Sequence, residues 1–385
     1  MDLMMRRELR RKKRRQKRMR ILLVIAIIAA VIFGMCMAFG GGGEEPAVAP
    51  MPTPEATPEV SAEPTPTPKP QTADEFIATM TLDKKLMQLF VLDIDTLTGV
   101  ENTTLHGNTS KKVISENPIG GILYDGGNIE SKPQFASMLS NLQTQYKEEN
   151  GFPAFLGISE EGGELSPGAA GGLGTAQAAF STFAEGENYE GAYTAGNAIG
   201  KYLAAAGINM NLAPNCTVLE GLDAETCSSL VISAGDGMSA AGVKPVYKAF
   251  PGRVVSGSTK EQMEVNEILP FTVAINSGAE LLMVSTAAAP VITGDSTPCA
   301  FSKAAVTDYI RTNLNFDGVV ITEALLNTSD DAAVMAIEAG CDLLLLPKDY
   351  SASIASLKSA IESGRLTEER INESVRRILR LKLGM

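Results

Sequence analysis

The sequence predicts an α/β protein whose folded part is a TIM-type (β/α)8 barrel, and three observations carry that prediction. Eight short apolar runs recur between residues 89 and 347, and helix-like stretches lie between them. Most of the runs are too apolar for a half-exposed antiparallel strand and suit strands buried on both faces of a parallel sheet. Strands and helices together alternate over about 310 residues, from 74 to 385, within the range of one such barrel. An open doubly wound sheet is the alternative, but its phosphate-binding glycine pattern is missing after the first run.

Ahead of the barrel the chain changes character three times. Residues 1–20 hold eleven Lys/Arg against Asp2 and Glu8, a balance of +9 that leaves −21 of the total −12 for everything after them. So acidic a remainder is a poor surface for phosphate, which argues against a nucleic-acid partner. Residues 21–40, "ILLVIAIIAAVIFGMCMAFG", carry no charge, and as a helix they would reach about 30 Å, one hydrocarbon thickness. We read them as one transmembrane helix behind a cytoplasmic tail, with the rest of the chain outside the cell. A cleaved signal peptide is the competing reading; the length of the apolar run and the lack of a small-x-small site favour the uncleaved anchor. Residues 41–73 alternate Pro with Thr, Glu and Ala, the composition of a semi-rigid spacer.

The folded domain then spans 74–385. Its predicted strands are 89–94, 120–125, 153–159, 209–214, 244–250, 281–286, 318–323 and 342–347. Helical patterns cover 131–149, 191–207 and 302–315, with Ser302 as a cap for the last, and Thr367 starts a terminal helix. In such a barrel the functional side chains stand where each strand runs into its loop. That rule selects Asp93, Asp95, Asp125, Glu160, Glu161, Asn209, Lys248 and Glu323.

Two carboxylates across a pocket are the minimal apparatus for breaking a glycosidic bond. Glu323 follows an uncharged strand and is the first candidate. Glu160 and Glu161 precede Gly162 and Gly163, a turn that permits close approach of a ligand. Lys248 near the end of an apolar strand needs a partner, and Glu323 is the partner expected. His106, the only histidine, stands in a polar loop and reads as surface. Cys216 and Cys227 are near enough in sequence for a disulfide, Cys341 reads as a buried small hydrophobe, and the spacings fit no metal motif. Neither a metal nor a cofactor is expected.

Several segments resemble glycoside hydrolase family 3, specifically its bacterial β-N-acetylhexosaminidase branch. They are "GGILY" with "GNIES", "EEGG", "NMNLAP", "YKAFPG", "ILPFTVAINSGAELLMVS", "FDGVVITEAL", "AIEAGCDLLLLP" and "RINESVRRILRLK", in order from about Thr79 to Lys382. The resemblance implies a barrel with a retaining mechanism, Glu323 at the nucleophile position, and Lys248, Glu161 and Glu160 against the sugar. It also exposes departures. The family reads Lys-His-Phe-Pro-Gly-His-Gly and then Asp-Ser-His, whose histidine is the general acid/base. Here Ala249 and Arg253 replace the two histidines of the first motif, and 254–260 has no Asp-Ser-His. The family's nucleophilic aspartate is Glu323, its sugar-binding arginine is Glu164, and the acid of its Ala-Pro-x-x-Asp is Thr217. The expectation is therefore a catalytically impaired, outward-facing binding or interaction module for a glycan, a peptidoglycan-derived saccharide or a cell-surface protein, with Arg253 facing Glu323 or Glu161. The alternative is an active β-N-acetylhexosaminidase or β-glycosidase using Glu323.

Overall fold

The computed structural model of the protein describes residues 72–385. The tail, the membrane helix and nearly all of the linker expected before them lie outside the described residues. Among the described residues no helix is long and apolar enough to cross a membrane.

Eight strands form, each within its predicted run: β1 Phe90–Asp93, β2 Gly121–Leu123, β3 Phe155–Ile158, β4 Met210–Asn211, β5 Lys244–Phe250, β6 Leu281–Val284, β7 Val319–Thr322 and β8 Leu344–Leu345. All named pairings are parallel, and neighbours in space are neighbours in sequence from β1 to β7. A doubly wound sheet would reverse its strand order part-way, so that alternative is excluded. β8 pairs with β1 through Phe90 and Leu344, and one bridge between Ile321 and Leu343 ties β7 to β8. The ring is nearly closed. Its strands are buried along both faces, as Val91, Ile122, Leu156, Val246, Leu282 and Val320 illustrate at 0% exposure.

The main helices are α1 Asn108–Glu116, α2 Lys132–Asn150, α3 Tyr189–Ala206, α4 Ala224–Ala240, α5 Leu269–Asn276, α6 Ala304–Asn313, α7 Ala332–Ala339, α8 Tyr350–Glu362 and α9 Glu368–Leu383. Polar caps start several of them. Ser131 accepts from Gln134 N ahead of α2, Asp223 from Thr226 N ahead of α4, and Thr367 from Arg370 N ahead of α9. Ser302 does not cap α6. Lys303 is already in helical geometry and no side chain caps the helix; the Ser302 carbonyl accepts from Ala305 N and Val306 N instead.

The hydrophobic core runs from Ala73 to Leu381. In α9, Ile371, Val375, Ile378 and Leu379 are all fully buried, the i, i+4, i+7, i+8 stripe of a helix laid on a core. The N-terminal end of the barrel is fastened by charge as well. Asp342, just before β8, is fully buried. It accepts from Arg311, from Ser374 Oγ at 2.7 Å, from Val320 N at 3.0 Å and from Arg377 at 3.3 Å. One carboxylate thus joins α6, β7 and α9.

Candidate active site

The site stands at the C-terminal ends of the strands, and the local backbone of each strand aims its side chains. Along β5 the register with β6 passes from Tyr247↔Leu282 to Phe250↔Val284, so β5 holds one extra residue. A bulge of this kind bends the strand and re-aims the side chain it carries. Lys248 lies in it, and its Nζ stands 2.6 Å from Glu161 Oε1 and 3.1 Å from Ser159 Oγ. The two charged side chains are only 18% and 16% exposed. Lys248 therefore pairs with Glu161 at the end of β3, and the expected pairing with Glu323 does not form.

Glu160 and Glu161 separate because successive residues of an extended chain point to opposite sides. Glu161 turns to the mouth. Glu160 is fully buried in the wall, where it accepts from Tyr202 OH at 2.5 Å, Gly168 N at 2.6 Å and Ala169 N at 3.3 Å. Burial raises its carboxyl above the usual range, and these donors oppose the rise. With both oxygens engaged away from solvent, Glu160 is a brace between β3 and α3 and not the mouth-facing ligand expected. Immediately afterwards Gly162 and Gly163 take φ of +80° and +63°, and a Cβ on Gly162 would lie 2.6 Å from Ala178 O. Only glycine lets the chain fold back that tightly after Glu161.

Glu323 follows β7, and three donors from the end of β6 meet one of its oxygens. Oε2 accepts from Ser285 Oγ at 2.7 Å, Thr286 N at 2.7 Å and Thr286 Oγ1 at 3.2 Å. The side chain is half-buried, and no such bond fixes Oε1 among the described residues. Ser159, Ser285 and Thr286 escaped sequence reasoning, although each stands at a strand end in the runs already marked.

The segment after β5 lies open, with residues 253–257 exposed. Arg253 does not face Glu323 or Glu161. Its guanidinium is 3.6 Å from Glu267 Oε1, a carboxylate only 7% exposed. A buried acid without another cation beside it attracts Arg253 more strongly than carboxylates already held by Lys248 or by Ser285 and Thr286.

The other strand-end polar residues serve the backbone. Asp93 accepts from Thr96 N, Asp95 from Asn102 N and Thr103 N, and Asp125 from Gly127 N. Asn209 precedes β4 and bonds Leu156 N and Ala154 O. His106 is half-buried between Gln145 at 2.7 Å and Ser110 at 3.2 Å. Cys216 and Cys227 are free, buried thiols, so the disulfide read as open to them is not formed; Cys341 is likewise buried, and burial pushes it up to about 12. Among the described residues no His, Cys, Asp and Glu cluster offers three ligands to a metal.

The glycosyl hydrolase family 3 N terminal domain matches residues 81–381. The chain belongs to that family. Within family 3 it resembles β-hexosaminidase A of Pseudoalteromonas piscicida, 27% identical over 73% of this chain and 56% of the relative. A β-hexosaminidase of Chromobacterium violaceum is 28% identical over 43% of this chain and 55% of that one. The chain thus spans little more than half the length of these two relatives. Among solved structures, a family 3 β-N-acetylglucosaminidase from Paenibacillus sp. superposes with a TM-score of 0.72 at 28% identity, over 80% of this chain and 63% of that one. A β-N-acetylhexosaminidase from Beutenbergia cavernae superposes at 0.67 with 25% identity, and this barrel covers 100% of it.

Proposed function

We propose that this family 3 barrel is catalytically impaired and serves as a binding or interaction module, held on the outer face of a membrane by residues 21–40. A saccharide, including one derived from peptidoglycan, or a surface protein would be its partner. The observation that carries the reading is the segment after β5. It holds no histidine and no carboxylate between Phe250 and Lys260, and its one early charge, Arg253, is directed at Glu267.

The chemistry that follows from this is quantitative. A glycosidic oxygen leaves as an alkoxide unless a positioned acid protonates it, and losing that assistance costs roughly 10² to 10⁴ in rate. Glu323 carries its carboxylate one methylene, on the order of 1 Å, beyond an aspartate at the same place, which alone can cost about 10²-fold. Lys248 and Glu161 still present polar groups toward the mouth, but they neutralise one another.

The second reading is an active retaining glycosidase, and one observation favours it. Ser285 and Thr286 grip Oε2 of Glu323, a way of orienting a carboxylate whose other oxygen is left to attack an anomeric carbon. Turnover of aryl β-N-acetylglucosaminide and aryl β-glucoside by residues 67–385, beside Glu323→Gln, separates the readings. Neither protein is expected to release the aryl group above background, with both folded by circular dichroism. Release abolished by Glu323→Gln would establish the hydrolase.

A further inference from the structure

Beside the Lys248–Glu161 pair lies a cavity of about 370 Å³ with Glu161 in its lining. It is a half-open cavity lined by the Glu161–Leu165 turn, by Ala179–Ser181, by the segment 215–222 and by the first turns of α4. Its walls are mostly carbon, with Phe180, Leu222, Leu230 and Val231 among them. Leu165 and Leu219 stand at its lip, 62% and 43% exposed. Such side chains are left in water at the edge of a concave apolar surface, where a ligand would cover them. Asn215, Thr217 and Glu161 add polar groups to the lining. Mostly apolar walls, a few polar groups and this volume are the features of a small-molecule site.

We infer that this cavity binds an amphiphile without negative charge, an aryl or acyl body with a hydrogen-bonding end. Size sets the body. A cavity of about 150 Å³ lined by aliphatic residues takes benzene, so one of about 370 Å³ admits a fused or linked pair of rings. Charge sets the end. Glu161 is cancelled by Lys248 at 2.6 Å, which leaves exposed Glu164 as the uncompensated charge of the lining. The chain beyond residue 20 carries −21 besides. An anionic head is repelled and one without negative charge is not, and Asn215 and Thr217 lie in the lining beside it. The inference rests on reading the barrel as a binding module and adds to it a further, apolar site beside the Lys248–Glu161 pair.

Two fluorescent probes of nearly the same body and different charge test it. N-phenyl-1-naphthylamine is neutral, and 8-anilinonaphthalene-1-sulfonate carries a sulfonate. Titrated into residues 67–385, the neutral probe is expected to give saturable emission at one site and the sulfonate to bind about tenfold more weakly or less. Thr217→Trp, which fills the cavity from its wall, should abolish the neutral probe's signal. Glu164→Lys, an exposed change with no packing to disturb, should narrow the gap between the probes. Absence of saturable binding of the neutral probe, equal binding of both probes, or a Glu164→Lys variant with an unchanged gap would overturn the inference. Glycoside turnover scored on the same preparation judges the impaired-barrel reading separately. No probe binding and no turnover removes the cavity site alone; probe binding with turnover removes the impaired barrel alone.

Discussion

Glu161 and Lys248 come from strands that do not touch in the sheet order, β3 and β5, and their ion pair spans the mouth above β4. At 16% and 18% exposure each charge has lost most of its water, so each depends on the other. Removing one partner strands the other, which costs more than the pair contributes net. Lys248→Met should therefore lower stability by about 1–3 kcal/mol, while Lys248→Met with Glu161→Gln should recover part of the loss. A double-mutant cycle on chemical denaturation midpoints checks this, with a coupling of about 0.5–3 kcal/mol expected; additive losses would mean the two charges do not depend on one another. Glu160 misleads a reader of the sequence for a local reason. "EEGG" presents two equal carboxylates, and only the alternation at the strand end sends one to the mouth and the other to Tyr202.

Among the elements, strands were legible because both their faces are buried, so that "FVLD", "LLMV" and "VVIT" read as continuous apolar runs. The start of α9 was legible because Thr367 stood free to cap it. Helix α4 was not, since its Ala, Gly and Ser serve close packing against α3 in place of an apolar stripe. A Cβ on Gly196 would lie 2.1 Å from Ala234 O, so the two helices meet backbone to backbone there. The bulge in β5 was invisible for another reason: one extra residue leaves no mark on composition, yet it decides where Lys248 points. At the opposite end of the barrel α9 delivers Lys382 into the core. Its ammonium bonds Gln88 Oε1 at 2.8 Å and lies 5.2–5.5 Å from the rings of Tyr146, Phe152 and Phe155. Burial holds its pKa well below the ordinary lysine value. The unfolded chain then binds the proton more tightly than the folded one, so stability rises with pH between the folded and unfolded values and is lost as pH falls through the folded one. Lys382→Met should flatten that rise, at the expense of the Gln88 bond. Thermal melts of both proteins from pH 7 to 10 measure the difference, and parallel slopes would mean Lys382 titrates alike in both states.

Over the whole molecule, charge and hydropathy divide the chain in a way that the barrel alone does not require. The Asp342 and Lys382 networks fasten the N-terminal end of the barrel, while Lys248, Glu161 and Glu323 occupy the other end, the usual division of stability and chemistry in this architecture. Nothing in that division calls for a basic tail of +9, an uncharged run of twenty residues and a proline-rich spacer of residues 41–73. The proposed single-pass anchor would account for all three, with the tail kept on the cytoplasmic side by its charge. The spacer would span up to about 100 Å if extended at about 3.1 Å per residue, enough to carry the mouth clear of the lipid surface. Anchoring would also raise the local concentration of a weak binder near surface partners, which suits a barrel that binds without turning over. The expected outcome is that the full chain stays with membranes through an alkaline carbonate wash, and that a protease acting from outside cuts the spacer and releases the barrel intact. Residues 67–385 expressed alone should stay in the supernatant. Recovery of the full-length gene product as a soluble species starting near residue 40 would show that residues 21–40 are removed after export, and the barrel would then act free of the membrane.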